Sequence, residues 1–356
     1  MGGEDAASEV LKKTITLDMG QGIAGWVAEN RQPLVIPDVN KDPRFFKGAD
    51  KLTGFTTRNM IAVPLVGRSG LIGVAQIINY SKMDLDPEIF QLLCGQFAIS
   101  IENARFYRKS LEKAKLRQQL EIAASLQKSF LPEFPVIRKG KAVVSAVNIS
   151  AYQVGGDVYD FVEPVDGTIG ILIGDVSGKG ISAALYMAKF ISDFRNVTHK
   201  IDKPDVALNK LNIIAARAPM GMFLTAIYAI LDLASGDIHV SIAGHPPFIH
   251  ITKGEAKVTT LNSGPPLGIV PTEYPVTTIS LEQGDRLIFL TDGVFDAKNR
   301  EGERLGFDRI VDFAKKHRNV EQIVQAIVDY VEDFSDGTER ADDLTIVELR
   351  WGDDQK

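Results

Sequence analysis

The chain has 356 residues, 45% hydrophobic and 24% charged, with a formal net charge of −6 at pH 7. This length fits two domains, and the composition is that of an ordinary globular protein. The small negative charge gives no indication of a nucleic-acid partner or an anionic membrane surface. Cys94 is the single cysteine, so an internal disulfide is excluded and a reducing cytoplasm is the expected location.

The N-terminal segment is polar and charged up to residue 17 and lacks the apolar core of a secretory signal. We expect residues 1–13 to be a leader outside the first domain. No apolar run in the sequence approaches the roughly 20 residues that span a bilayer. The sequence therefore predicts a protein that is not inserted into a membrane.

Residues 14–80 alternate short apolar runs with turn signals. A glycine turn opens a short helix at residues 20–28, and a short strand follows at residues 33–36. Two longer apolar runs, residues 59–66 and 71–79, are joined through Arg-Ser-Gly. This arrangement predicts a β-hairpin within a small α/β domain.

One long helix is predicted from about residue 86 to residue 131, where Pro132 ends it. Its middle is charged, and its apolar positions follow a three–four spacing from Phe97 to Ala114 that slips in phase and restarts at Leu116. A narrow stripe on a long helix is typical of a coiled coil. We therefore expect a homodimer, and the alternative is a single helix that lies on its own domains.

Beyond residue 141 the sequence predicts many short strands and a few helices. The strands are predicted at residues 142–151, 158–163, 169–175, 222–233, 238–243, 248–252, 258–261, 276–281, 286–291 and 344–349. The helices are predicted at residues 181–197, 205–218, 307–317 and 320–334. Antiparallel meanders with helices in blocks indicate an α+β domain of two packed sheets flanked by helices.

Four short motifs in this region place aspartates at the ends of apolar runs or beside glycine turns. The candidate ligands are Asp157, Asp160, Asp175, Asp292, Asp342 and Asp343. Mg²⁺ and Mn²⁺ prefer oxygen ligands, and neighbouring carboxylates repel each other unless a cation lies between them. Each acid taken alone fits a helix cap or a solvated turn. Together they predict a two-metal hydrolytic site without a nucleophilic side chain.

Together with other short motifs that follow in order along the chain, these motifs resemble those of the SpoIIE/RsbU branch of the metal-dependent serine/threonine protein phosphatases, the PPM fold. Among them are Gly-Asp-Val-Ser-Gly-Lys-Gly at residues 174–180, Ala-Gly-His-Pro-Pro at 243–247 and Asp-Asp-Leu-Thr at 342–345. The resemblance covers roughly residues 120–350 and implies an α-β-β-α sandwich with a binuclear Mn²⁺ or Mg²⁺ centre. The ligands and catalytic residues that it implies are Asp157, Asp175, Asp292 and Asp342, with the carbonyl of Val176 as a further ligand and Asp160 and Asp343 as secondary candidates.

Two positions differ from the usual family pattern. Lys179 stands where His is frequent, and Asp296 stands where Glu is frequent. Neither change removes an implied ligand. His245 is a candidate general acid, but the two prolines that follow it favour a structural turn.

Residues 14–108 resemble a GAF domain. The matching segments are residues 22–28, 37–39, 42–45 and 61–65. A GAF fold usually has a helix and strands before this point, so the resemblance implies an N-terminally incomplete domain from a longer sensor. The expected order is a leader at 1–13, a GAF-like domain at 14–105, a helical linker at 106–135 and a phosphatase domain at 136–351.

The two resemblances together imply a bacterial signalling phosphatase. Its expected substrate is a phosphoserine or phosphothreonine on a STAS-type anti-anti-sigma factor, and an unidentified signal at the GAF domain would control it. Two alternatives stay open: a regulatory binding module with an inactive phosphatase domain, and another metal-dependent enzyme such as a nucleotide cyclase. The complete set of acids argues against the first, and Val158-Tyr159 in place of a cyclase Glu-Phe pair argues against the second.

Overall fold

The computed structural model describes residues 16–81, 86–217 and 221–352. The chain divides into two compact units, Met1–Arg117 and Gln118–Lys356. The predicted leader at residues 1–13 lies outside the described residues.

The first unit contains a three-stranded antiparallel sheet with the order β1-β2-β3. Its elements are α1 (Gly22–Asn30), β1 (Leu34–Ile36), α2 (Lys47–Thr53), β2 (Met60–Gly67), β3 (Gly70–Ile78) and the first part of α3 (Pro87–Lys128). The predicted hairpin is confirmed, because β2 pairs with β3 from Met60–Ile78 to Gly67–Gly70.

Two small cores hold this unit together. Ile23 and Val27 of α1 pack with Ile36 in one core, and Cys94 of α3 packs with Ile61 in the other. Cys94 thus has the environment of a buried small hydrophobe.

Helix α3 is continuous over 42 residues. It ends at Lys128 rather than at Leu131, because residues 129–131 form tighter turns through bonds such as Ser129 N–H to the Leu126 carbonyl. Many of its large apolar side chains are exposed, including Leu92, Phe97, Phe106, Tyr107, Leu111, Leu116, Ile122 and Leu126. Across the described ranges, no helix combines the length and apolar character needed to cross a membrane.

The second unit contains two antiparallel sheets. The six-stranded sheet has the order β11-β10-β13-β14-β5-β4, and the five-stranded sheet has the order β12-β9-β8-β7-β6. The strands are β4 (Val136–Lys139), β5 (Ala142–Ile149), β6 (Val158–Val162), β7 (Thr168–Val176), β8 (Leu224–Asp232), β9 (Asp237–Ala243), β10 (Phe248–Thr252), β11 (Glu255–Thr259), β12 (Val276–Ser280), β13 (Arg286–Leu290) and β14 (Leu344–Trp351). The helices are α4 (Ile181–Thr198), α5 (Pro204–Ala215), α6 (Asp292–Phe295), α7 (Phe307–Lys316) and α8 (Ile323–Ser335).

Three buried layers define the packing of this unit. One core lies between the sheets and includes Ile171 and Phe289. A second core packs α4 and α5 on the five-stranded sheet, with Phe194 against Tyr228. A third core packs α7 and α8 on the six-stranded sheet. The predicted α-β-β-α sandwich is therefore confirmed.

Several elements differ from the prediction, among them the short helices α2 and α6, which were not predicted. Strand β4 was not predicted, since its four residues form an edge strand that alternates exposed and half-buried positions. Strand β11 begins at Glu255 rather than at residue 258, because Lys253 and Gly254 adopt positive φ and make a two-residue hairpin turn. Helix α8 begins at Ile323, three residues later than expected.

Candidate metal centre

The acids reach one place because of the alternation of side chains along β7. Ile169, Ile171 and Ile173 face the core between the two sheets. Successive strand residues point to opposite faces, so Asp175, two positions beyond Ile173, points to the same side. Asp157 likewise lies two positions before Tyr159, which belongs to that core.

The opposite sheet contributes two threonines by the same rule. Phe289 of β13 and Val347 of β14 belong to the core between the sheets. Thr291 and Thr345 each lie two positions away from one of them and are fully buried. Polar side chains from both sheets therefore meet at one end of the central layer.

Asp157 is held by these threonines. Its Oδ2 accepts hydrogen bonds from Thr291 Oγ1 at 2.7 Å and from Thr345 Oγ1 at 2.6 Å. Burial raises the pKa of Asp157 well above its ordinary value, and the charge of Asp175 raises it further, whereas the two hydroxyl groups oppose the rise. The two hydroxyl groups thus fix the orientation of this buried carboxylate.

The negative charges of several neighbouring acids act on Asp175. Its pKa is raised to about 7, first by burial and then by the charges of Asp292 and Asp342. The pKa of Asp292 is raised as well, by burial and then by Asp342. A cation among these carboxylates would relieve both the burial penalty and the repulsion.

Asp343 organises the backbone beside the acids. Its Oδ2 accepts a hydrogen bond from Gly156 N–H at 2.6 Å, and its Oδ1 accepts one from Ala151 N–H at 2.8 Å. A Cβ atom at Gly155 would lie 2.3 Å from Asp343 Oδ2, so glycine is required for this approach. Asp343 thus fixes the backbone of the segment before Asp157 through these hydrogen bonds.

Asp342 lies near the surface and pairs with a lysine. Lys179 Nζ is 2.8 Å from Asp342 Oδ2 and 2.5 Å from the carbonyl oxygen of Ala341. The pKa of Lys179 is raised, mainly by its hydrogen bond with Asp342.

Asp160 lies apart from the other acids. It is three positions from Asp157, so it points to the opposite face of β6, where Val158 packs against the helices. Arg195 of α4 binds both of its oxygens, with distances of 2.7 Å from Nε to Oδ2 and 3.1 Å from Nη2 to Oδ1. The ion pair argues against the metal-binding role expected for Asp160 and indicates a structural one.

His245 has the environment of a neutral, structural histidine. Its Nδ1 lies 2.9 Å from Thr225 Oγ1, and Thr225 pairs with Asp175 between β7 and β8. Burial lowers the pKa of His245 to about 3. A ring that remains neutral at physiological pH does not act as a cationic general acid there.

The candidate ligands are carboxylate and carbonyl oxygens, which are the donor atoms that hard cations prefer. A Cβ atom at Gly156 would lie 3.0 Å from the carbonyl oxygen of Val176, so glycine leaves space in front of this predicted ligand. Over residues 16–81, 86–217 and 221–352, no group of three or more His, Cys, Asp or Glu side chains is arranged so that it could hold a metal ion in the present conformation. The current partners of Asp157 and Asp342 are protein groups, which a bound ion would have to share or displace.

Gln127, which lies in the restarted apolar stripe of α3, is a further functional candidate. It is buried, its Nε2 donates to the carbonyl of Gly155 at 2.5 Å, and its Oε1 accepts from Gly155 N–H at 3.1 Å. The feature of the sequence that points to Gln127 is a polar residue within an otherwise apolar stripe. Thr291 and Thr345 were also missed, although strand alternation from the neighbouring core residues points to them.

Two family models match the chain. The model described as Stage II sporulation protein E (SpoIIE) matches residues 165–352. The model described as GAF domain matches residues 4–101, and thus begins ten residues before the predicted domain boundary.

Curated relatives match over about two thirds of the chain. Protein IcfG of Synechocystis sp. (strain ATCC 27184 / PCC 6803 / Kazusa) is 27% identical over 266 residues, which cover 65% of this chain and 41% of IcfG. Phosphoserine phosphatase RsbU of Bacillus subtilis (strain 168) is 28% identical over 243 residues, covering 66% of this chain and 71% of RsbU. The chain thus spans less than half of one relative and about seven tenths of the other.

Among solved structures, the SiaA-PP2C domain of Pseudomonas aeruginosa superposes with a TM-score of 0.59 at 19% identity. The match covers 67% of this chain and 98% of that domain. At this identity the likeness concerns the fold, which is that of a PP2C domain. The SpoIIE match extends over more than half of the chain and includes Asp175, Asp292 and Asp342, and the chain therefore belongs to the SpoIIE family, with a GAF domain in its N-terminal part.

Proposed function

We propose that the chain is a metal-dependent protein serine/threonine phosphatase. The observation that carries this proposal is the convergence of Asp157, Asp175, Asp292 and Asp342 at one end of the two-sheet core, where Asp175 has a pKa of about 7. Burial and mutual repulsion of carboxylates are typical of a site that binds cations. Family membership supports the same activity.

The proposed cofactor is a pair of Mn²⁺ or Mg²⁺ ions. Asp157, Asp175, Asp292, Asp342 and the Val176 carbonyl would hold them. When bound, such ions supply activation of water and neutralisation of phosphoryl charge. Thr291 and Thr345 would position one of these ligands, because their hydroxyl groups orient Asp157.

The proposed substrate is a phosphoserine or phosphothreonine of a STAS-type protein. A relative that is 28% identical is named a phosphoserine phosphatase, which supports a phosphoprotein substrate. The exposed fractions of Lys179 and Asp342, 49% and 38% of the side chain, indicate that this side of the centre is open to solvent. An open site is suited to a phosphorylated segment on the surface of another protein.

We further propose that a signal at the GAF domain reaches the acids through α3, in a homodimer formed by that helix. The support is the pair of hydrogen bonds between Gln127, near the end of α3, and Gly155. Gly155 adjoins Gly156, whose N–H is bound by Asp343. A shift of the helix end would therefore move the backbone next to Asp157.

The test is phosphate release from a phosphoserine-carrying STAS-domain protein with Mn²⁺, with Mg²⁺ and with a chelator. We expect release that requires the metal and that is lost in Asp175→Asn, because this acid lies at the centre of the cluster. Asp166→Asn, in an exposed turn of the same unit, is the matched control and should retain activity.

Release in Asp175→Asn equal to that of the unchanged chain would refute the assigned centre. Binding of the STAS protein without release under any metal would favour the regulatory-module alternative. Turnover of nucleotides in place of the phosphoprotein would favour the cyclase-like alternative.

A further inference from the structure

Lys179 occupies a well-defined position at the tip of the turn between β7 and α4. Gly178 and Gly180 on either side have φ values of 93° and 72°, which favour glycine. The base of the turn is fixed by Ser177, whose N–H donates to the Phe223 carbonyl and whose Oγ accepts from Phe223 N–H. The lysine thus extends from a fixed base towards the acids.

The ammonium group of Lys179 lies beside the acidic side chains of the centre. It donates to Asp342 Oδ2 at 2.8 Å and to the Ala341 carbonyl at 2.5 Å, and the charge of Asp292 also acts on it. Asp342 and Asp292 are two of the proposed metal ligands. Lys179 is therefore a protein cation placed against the outer acids of the centre.

The pair is suited to exchange with a metal ion. Both side chains are partly exposed, and an exposed ion pair between a lysine and an aspartate is weak. A lysine ammonium is a flexible point charge that can swing away on its four-carbon stem. A divalent ion at Asp342 would meet both a competitor for the carboxylate and a nearby like charge.

We propose that Lys179 is a built-in competitor that lowers the affinity of the outer acids, Asp292 and Asp342, for a divalent cation. This inference rests on the proposed metal centre. It adds a residue that tunes metal affinity without being a ligand. Asp157 is held by Thr291 and Thr345 instead, so we expect the effect at an ion that is bound by the outer acids.

The experiment is Mn²⁺ binding to the full chain, followed by calorimetry and by the loss of the free-ion electron paramagnetic resonance signal. Lys179→Met removes the charge and keeps the length of the side chain. We expect the Mn²⁺ site formed by the outer acids to tighten by about tenfold in Lys179→Met, since a positive charge near the ion is gone. Lys179→Arg keeps the charge and should bind Mn²⁺ as weakly as the unchanged chain.

Lys189→Met is the matched control, because Lys189 is an exposed lysine of α4 that pairs with Asp193 at 2.5 Å. Its Mn²⁺ affinity should not change. Equal or weaker binding in Lys179→Met, with the melting curve preserved, would overturn the proposal while leaving the metal centre intact. Absence of Mn²⁺ binding in every variant at millimolar ion would refute the metal centre itself, and the role of Lys179 with it.

Discussion

The carboxyl group of Asp175 has a pKa of about 7, far above its ordinary value. Burial comes first among the causes, followed by the charges of Asp292 and Asp342. In the unfolded chain the same carboxyl has an ordinary pKa of 3.8. Without a cation, its ionisation therefore opposes folding at neutral pH.

The stability of the metal-free chain should fall as pH rises towards neutrality. The pKa of Asp175 is higher in the folded state than in the unfolded state. The contribution of this carboxyl group to folding stability is therefore fully present below about pH 4 and is lost as pH rises through about 7. Urea unfolding with a chelator between pH 5 and pH 8 should show this decline. Asp175→Asn should reduce the slope, and the exposed Asp166→Asn should leave it unchanged. An equal slope in Asp175→Asn would contradict the assignment.

Thr345 joins the two sheets at the centre through its hydroxyl group. Its Oγ1 donates to Asp157 Oδ2 and accepts from Asn148 Nδ2 at 2.8 Å. Thr345→Val keeps the shape but removes both hydrogen bonds of the hydroxyl group, which leaves Asp157 Oδ2 with the bond from Thr291. We expect a cost of about 1–3 kcal/mol in the free energy of unfolding. Urea unfolding measures this loss. We also expect weaker Mn²⁺ binding, measured by calorimetry, because Asp157 loses one of the two hydroxyl groups that orient it.

Thr345→Ser is the matched control, because it retains the hydroxyl group. It should recover Mn²⁺ binding, although the lost methyl group lowers stability somewhat. Unchanged Mn²⁺ affinity in Thr345→Val would show that Asp157 does not depend on this hydrogen bond.

The end of α3 is the element that joins the long helix to the glycine segment of the centre. Gln127→Ala removes both hydrogen bonds to Gly155. We expect a loss of about 1–3 kcal/mol in unfolding free energy, because the buried Gly155 amide and carbonyl lose their partner. Phosphatase activity should fall with it, since Gly155 lies two residues from Asp157.

Gln119→Ala is the control for the same helix, because this glutamine is exposed. It should leave both stability and activity near those of the unchanged chain. Equal effects of the two substitutions would remove Gln127 from the proposed route between the helix and the acids.

At the scale of the whole molecule, a bound cation should stabilise the folded state. A ligand present at about 100 times its dissociation constant adds about 2.7 kcal/mol to the free energy of unfolding. Calorimetry with and without Mn²⁺ should show this shift in the transition of the unit Gln118–Lys356. Asp175→Asn should lose most of it. A shift of the same size in Asp175→Asn would indicate that Mn²⁺ binds elsewhere.

The exposed apolar side chains of α3 are the basis for the proposed homodimer, in which this helix would meet a second copy of the chain. Leu111 has 59% of its surface exposed and Leu116 has 54%. Sedimentation of the full chain should report a dimer, and Leu111→Asp should weaken it because a charge in a coiled-coil seam is costly. Ser110→Asp, also exposed, is the control for added charge. A monomer at all concentrations would refute the proposed dimer.

The amino-acid sequence by itself was sufficient for the features that depend on neighbouring residues. The hairpin of β2 and β3 follows from its turn chemistry, and the strand that carries Asp175 near its end follows from a short apolar run before a glycine turn. The motifs around the acids were also readable, because each lies within a few residues. Local backbone preferences and local patterns determine such features.

Only the tertiary structure decided which of these residues meet. Thr345 bonds to Asp157 across 188 positions, and Lys179 meets Asp342 across 163. Asp160 lies only three positions from Asp157, yet the pleat turns it to Arg195 and the opposite face. Contacts over such separations depend on how two sheets and their helices pack, because the chain places distant residues together only when the apolar core between them is buried.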